Sequence, residues 1–316
     1  SLIANLVTAL SPTLTWVTGS QVASRGFVAV GALLLPVLVA EQLPAGARAW
    51  CVGLLFMCGA LGVGMVLWAF PFIDEGRAWW RGIFGLSVLC APVLWRVGRR
   101  LVESDRYLAR QVQVDAGVAD RHRISRVRLA VLAVILLSVN LFVAPISQLQ
   151  NEYLRTERGF SAATLTVFLI LTNTWSGVTV LVAGRMADRR SRHLVAPIGM
   201  LGLVLGNVWM YSVGGIQMWL ASFVGSFVGA ATVPALGVLT PELFPTGRRG
   251  SAAGLINGVA IGGSIIGLLI AGDLIDRWGW GPTFATLGVV PLLAIPLLGL
   301  LPEGARVDLD VLNPVE

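Results

Sequence analysis

Ten runs of apolar residues, each about as long as a membrane-crossing helix, dominate this 316-residue sequence. They lie near 2–18, 22–40, 51–71, 79–97, 128–147, 161–183, 194–212, 216–239, 250–271 and 283–300. A helix needs about 20 mostly apolar residues to cross the hydrocarbon core. Lipid offers the backbone no hydrogen-bond partner, so such runs settle as helices that satisfy themselves internally. A soluble core can bury two or three of them, but not ten separated by short polar breaks. The runs are rich in Leu, Ala, Val and Gly and lack the alternating dyad of a membrane barrel. The predicted fold class is an all-α polytopic membrane protein. In the ninth run Gly254, Gly258, Gly262, Gly263 and Gly267 recur at about one helical turn, a spacing that lets membrane helices approach closely.

The net charge of +6 invites a nucleic-acid reading, but its distribution argues otherwise. All 23 basic residues are arginine, and sorting them by loop puts 17 on one face of the membrane. The other face holds Arg25, Arg77, Arg81, Arg155, Arg158 and Arg277. By the positive-inside rule the arginine-rich face is cytoplasmic, and both termini with it. The basic balance is a topology signal, and no nucleic-acid partner is expected.

Little in the chain suggests chemistry on bonds. Cys51, Cys58 and Cys90 lie in or beside apolar runs and read as small buried hydrophobes. Cys51 and Cys58 are too far apart on one helix to form a disulfide. His122 and His193 fall in loops, and no metal-ligand cluster appears. An intramembrane enzyme needs paired carboxylates, a nucleophile beside a base, or a metal. The reading is not an enzyme, with no metal and no cofactor.

The sequence also repeats itself. Glu41-Gln-Leu-Pro44-Ala-Gly-Ala-Arg48 is echoed by Glu242-Leu-Phe-Pro245-Thr-Gly-Arg248-Arg249 at an offset of 201. Glu103-Ser-Asp-Arg106 is echoed by Glu303-Gly-Ala-Arg306 at an offset of 200, and Asp74 to Trp80 resembles Asp276 to Trp280. The loop Gly184-Arg185-Met186-Ala187-Asp188-Arg189-Arg190-Ser191-Arg192 has no such echo, because its partner would fall near position −13. On this arithmetic the first run is the third span of a six-plus-six arrangement, truncated at its N-terminus.

These motifs resemble the major facilitator superfamily, closest to its sugar-porter and organic-solute branches. Gly184, Asp188, Arg189 and Arg192 stand in a segment similar to that family's cytoplasmic loop motif. Glu41 and Arg48, with Glu242, Arg248 and Arg249, resemble the sugar-porter signature at the ends of its fourth and tenth spans. Glu103 with Arg106, and their echo Glu303 with Arg306, resemble its Pro-Glu-Ser-Pro-Arg segment, with Val102 and Asp105 replacing the two prolines. The resemblance implies a two-bundle fold with about 10 of 12 transmembrane helices present. Its parts are an N-terminal bundle at 1–99, a cytoplasmic linker at 100–127, a C-terminal bundle at 128–302 and a cytoplasmic tail at 303–316. It also implies alternating access about a central site, with the cytoplasmic glutamates and arginines pairing as a gate when that side is closed. The plainer reading of these arginines is that they only set topology.

Polar residues at mid-span are the solute-binding candidates: Asn140, Gln148, Asn173, Thr174, Trp175 and Asn257, with Asn207 beside them. An amide both donates and accepts, which suits hydroxyl-rich or amphoteric solutes; helix–helix hydrogen bonding is the competing explanation. Arg25, near the outer end of the second run, is the candidate for proton coupling, because the resemblance implies a carboxylate partner for it in the missing first span. The alternative is an arginine that snorkels to the interface. Two departures matter. The seventh family span reads Ser138-Val-Asn140-Leu-Phe-Val-Ala-Pro145 where sugar porters carry paired glutamines, and Gly59, Gly62 and Gly64 lack the proline of drug antiporters. The expected function is secondary active transport of a small organic solute with protons, by a monomer in the lipid bilayer of a bacterial inner membrane. The alternatives are a non-transporting receptor or scaffold, and a drug or metabolite exporter. Without its first two spans the chain alone is not expected to transport.

Overall fold

A computed structural model describes residues 2–69, 79–100, 108, 112 and 125–305. Within them the chain is helical, with no strand. Five helices form the first group: α1 (Leu2–Leu10), α2 (Leu14–Gln42), α3 (Arg48–Ala69), α4 (Trp79–Leu86) and α5 (Ala91–Gly98). Nine form the second: α6 (Arg126–Thr156), α7 (Ala162–Asn173), α8 (Ser176–Arg189), α9 (Arg192–Ser212), α10 (Gly215–Gly229), α11 (Thr232–Gly237), α12 (Leu239–Leu243), α13 (Thr246–Trp278) and α14 (Trp280–Ala294). Seven segments among the described residues are long and apolar enough to cross a membrane. One is α2 and the other six lie in the second group.

The run at 2–18 is not one span. Its helix stops at Leu10, and residues from Leu14 belong to α2, which has 29 residues. The Ser11-Pro12-Thr13 break explains this, because proline cannot continue the preceding helix and disfavours helix for the residue before it. The run at 79–97 is also divided, by a 3-10 stretch at Ser87–Cys90 ahead of Pro92. The run at 161–183 carries a break between α7 and α8. There Asn173 Nδ2 and Thr174 Oγ1 donate to the carbonyls of Leu169 and Ile170, and Ser176 Oγ donates to that of Asn173. Side chains that bond to local backbone carbonyls bend helices in this way.

Relocating the start of α2 moves Arg25. It lies about 4.5 Å of helix rise from the midpoint of α2, not at its outer end. The glycine row of the ninth run divides as well. A Cβ on Gly263 or Gly267 would collide with the backbone of Leu137 or Leu141 on α6, so α13 packs there backbone to backbone. Gly254, Gly258 and Gly262 have nothing within 4 Å among the described residues.

The two groups meet along two seams. In one, α3 packs on α8 and α11; in the other, α2 packs on α12 and α13. A shared apolar core crosses the first seam, where Ala49 and Val52 of α3 sit among Ala183, Ala187, Ala235 and Leu236. A second, aromatic core lies wholly in the second group at the opposite end. Tyr211 stacks on Phe284 at 3.9 Å between ring centroids, and Tyr153 lies 4.8 Å from Tyr211. Arg158 closes that end by donating to the Tyr153 hydroxyl at 2.6 Å and to the Val213 carbonyl at 2.5 Å.

Candidate functional site

Helix α2 ends, and α3, α9 and α13 begin, on the arginine-rich face. Proline at Pro44 and Pro245 stops the preceding helix and lets the next begin a few residues later. The turns therefore put Glu41 and Arg48, and likewise Glu242 and Arg249, at facing helix ends. Across the seam Arg48 Nη1 lies 3.4 Å from Glu242 Oε1, and Arg249 Nη1 lies 2.6 Å from Glu41 Oε1. Each arginine also donates through Nε to its own turn, Arg48 to Leu43 O at 3.3 Å and Arg249 to Phe244 O at 3.2 Å.

Arg192, at the start of α9, joins this pair of pairs. It meets Glu242, and its Nη2 stands 3.6 Å from Asp188 Oδ1. Asp188 uses both oxygens on the start of α3, accepting the N–H groups of Ala49 and Trp50 at 2.9 Å each. These are otherwise unsatisfied donors at the positive end of a helix dipole, so a carboxylate is well placed there. Arg48, Asp188, Arg192, Glu242 and Arg249 are each at most 1% exposed. With Glu41 they make three cations and three anions. Burying such charges is costly unless they are paired, and here the pairing draws on both bundles.

Gly184 lets the helices come this close, because a Cβ there would stand 2.8 Å from Trp50 Cα. Arg185 lies over the Trp50 ring, 5.1 Å from its centroid, a cation–π contact across the same seam. Glu303 caps α9, accepting from Ser191 Oγ and from the N–H groups of Arg192 and His193 at 3.2 and 3.3 Å. Partial burial pushes the Glu303 carboxyl up, but hydrogen bonds from Ser191, Arg192, Ala305 and His193 outweigh it and hold it below the ordinary carboxylate value. Two further candidates do not join the cluster among the described residues. Arg189 and Arg248 are exposed, and Glu103, Arg106 and Arg306 lie outside the described residues, as do most of 100–127 and 306–316.

Above the ion pairs, a cavity of about 670 Å³ lies between the groups. Apolar residues such as Phe56, Leu136, Val139, Val233, Leu236 and Ile256 make much of its wall. Of the solute-binding candidates, Asn140, Asn173 and Asn257 line it, and so does Asn207. Gln148, Thr174 and Trp175 do not; all three are exposed, and Thr174 is engaged with Ile170 O. Gln150, Ser147, Ser226 and Thr232 line the cavity without having been singled out from the sequence. Gln150 lies two residues from Gln148, and the helical period alone could have distinguished the inward one once α6 was phased. Arg25 is exposed on α2 and makes no ion pair among the described residues. No group of three or more His, Cys, Asp or Glu that could hold a metal occurs among them.

A family model described as Major Facilitator Superfamily matches residues 129–310. The chain is 34% identical over 139 residues to the uncharacterized MFS-type transporter Rv1250 of Mycobacterium tuberculosis, covering 40% of this chain and 23% of that protein. It is 31% identical over 129 residues to the multidrug resistance protein MdtG of Dickeya zeae, covering 37% of this chain and 32% of that one. The match thus spans about a quarter to a third of the length of these curated relatives. Among solved structures, the proton:xylose symporter XylE bound to 6-bromo-6-deoxy-D-glucose superposes with a TM-score of 0.70 at 19% identity, over 89% of this chain and 70% of that one. With its helices, its two-bundle fold and a matching family model over more than half its length, the chain belongs to the major facilitator superfamily.

Proposed function

We propose that the whole protein is a secondary transporter that moves a small organic solute by alternating access, coupled to protons. On this reading residues 1–99 and 128–302 belong to the two rocking bundles, 100–127 link them, and 303–316 form the tail. The arginine-rich face is cytoplasmic, with both termini there, and the membrane is a bacterial inner membrane. One observation carries the reading: a cavity between the bundles has Thr240 and Pro241 in its wall, and the next residue, Glu242, belongs to the ion pairs exchanged between the bundles. Such pairs exist only while the bundles are docked, so they can favour one of two packed arrangements. Asn140, Asn173 and Asn257 are the solute contacts, and Glu41, Arg48, Asp188, Arg192, Glu242 and Arg249 are the gate. Arg25 is the coupling residue, because an ionisable group near mid-span is expensive and marks function.

A second reading, export of drugs or metabolites, is favoured by the similarity to MdtG. Both readings require the arginine-rich face to open. Spin labels at the exposed Arg99 and Arg190, one on each bundle, measure that in the full-length protein in lipid. Two distance populations that exchange weight on adding solute or changing pH are expected. One invariant population would rule out alternating access.

A further inference from the structure

The cavity wall is biased in what it offers a solute. Asn140 Nδ2 donates to Leu136 O at 2.8 Å, and Asn207 Nδ2 donates to Leu203 O at 2.8 Å. A backbone carbonyl can only accept, so the amide nitrogen must face it and Oδ1 must face away. Asn173 Nδ2 is spent on Leu169 O and on Thr172 Oγ1. The hydroxyls follow the same pattern. Ser147 donates to Ala144 O, Ser176 to Asn173 O and Ser226 to Asn173 Oδ1. A serine has one proton, and each of these has used it, which leaves lone pairs toward the cavity. Gln150 turns its Nε2 to Met210 Sδ at 3.5 Å. Thr232 Oγ1 is buried without a partner. No ionisable side chain lines the cavity among the described residues.

We infer that this cavity selects an uncharged solute with an apolar face and several hydrogen-bond donors, read chiefly by Asn140 Oδ1 and Asn207 Oδ1. Asn140 and Asn207 each keep one amide N–H, but Asn173 and the three serines have no proton left to give, so a solute without donors would leave most of these lone pairs unanswered. A cation finds the acceptors but no counter-charge, and its desolvation is uncompensated there. The apolar wall takes up the solute's hydrocarbon side. This inference rests on the transporter reading.

Binding of tritiated phenyl β-D-glucoside to the full-length protein in lipid nanodiscs tests it. The probe carries four hydroxyl donors on one side and a phenyl ring on the other. Its per-O-methyl ether, with the same skeleton and no donors, is expected to compete at least tenfold more weakly. Benzyltrimethylammonium, a charged phenyl compound, is expected not to compete. Asn140→Leu and Asn207→Leu are each expected to weaken probe binding about tenfold, and the ligand comparison stands even if either variant folds poorly. Equal competition by the methyl ether, preferential competition by the ammonium ion, or no binding of the glucoside would overturn the inference. The spin-label distances judge transport separately. A solute of another class that shifts them would leave the transporter standing and this inference lost.

Discussion

Arg48 reaches Glu242 at 3.4 Å, and 201 residues further along the chain Arg249 reaches Glu41 at 2.6 Å. Each bundle lends its arginine to the other's glutamate. The sequence repeat is thus also a repeat in space, down to the Nε bonds to Leu43 O and Phe244 O. Such an exchange cannot be half made. Separating the bundles releases both pairs together and hydrates charges that were dry, so the loss of pairing is offset by recovered solvation. That balance allows two states of similar free energy.

Removing one charge upsets it. Glu242→Gln leaves Arg48 and Arg192 facing a neutral amide in a dry site, and breaking a buried pair on one side costs about 3–5 kcal/mol. The penalty falls only on the docked arrangement. The distance between labels at positions 99 and 190 is therefore expected to shift toward its longer population. Glu41→Gln acts on one pairing at a more exposed carboxylate (8% against 0%), so its shift is expected to be smaller. Equal shifts, or none, would contradict the role given to Glu242.

Asp188→Asn tests the other half of the seam. The carboxylate accepts two backbone N–H groups at the start of α3, and an amide can accept only through its one oxygen. Charge-assisted bonds of this kind are worth about 1.5–3 kcal/mol each in sum with their context. Faster hydrogen exchange at Ala49 and Trp50 is expected, with little change at Tyr211 in the distant aromatic core.

The ion-pair cluster was more legible in the sequence than the cavity. Glu41, Arg48, Glu242 and Arg249 announce themselves because charges are scarce in this chain and recur at one offset. Arg189 and Arg248 carry the same chemistry but face outward, and only helix phase separates them from Arg192 and Arg249. Apolar length located the spans in the second group but misplaced the first, because Ser11-Pro12-Thr13 is too short to break a hydropathy pattern although it breaks a helix. The cavity depends on how helices rotate against one another. Thus Gln150 turns inward and Gln148 does not, which composition cannot reveal.

Glycines on α13 give a stability contrast within one helix. Gly267→Ala sets a Cβ against Leu141 O, and such overpacking costs about 1–3 kcal/mol. At Gly258 nothing lies within 4 Å among the described residues, so Gly258→Ala gains helix propensity of about 0.5–1 kcal/mol. Thermal unfolding in detergent is expected to fall for the first and hold or rise for the second. A loss at both would mean that Gly258 also faces a packed surface.

Glu303 sets a pH dependence whose sign follows from its bonds. Its carboxyl sits below the ordinary value, so it binds protons less readily folded than unfolded. The stability it contributes is fully present above the unfolded value of about 4.3 and is lost as pH falls through the lower folded one. The melting difference between the parent protein and Glu303→Gln is expected to be constant from neutral pH to about pH 5 and to shrink below it. A difference that grew on acidification would reverse the assignment.

Arg25 offers the test of coupling. It sits about 4.5 Å from the midpoint of α2, where an arginine costs about 2.5–3.5 kcal/mol on insertion scales. A topogenic arginine belongs at a helix end, and this one is many residues from either. Arginine side chains do not serve as proton carriers in proteins, so a coupling role for Arg25 is to pair with a carboxylate that carries the proton. Arg25→Gln in the full-length protein is then expected to abolish solute accumulation driven by a pH gradient while leaving equilibrium exchange of solute largely intact. The same variant should insert more readily, though by only part of that cost, because a glutamine amide is itself expensive in lipid. Undiminished accumulation with better insertion would make Arg25 a tolerated burden of the helix and return the coupling role to some other residue.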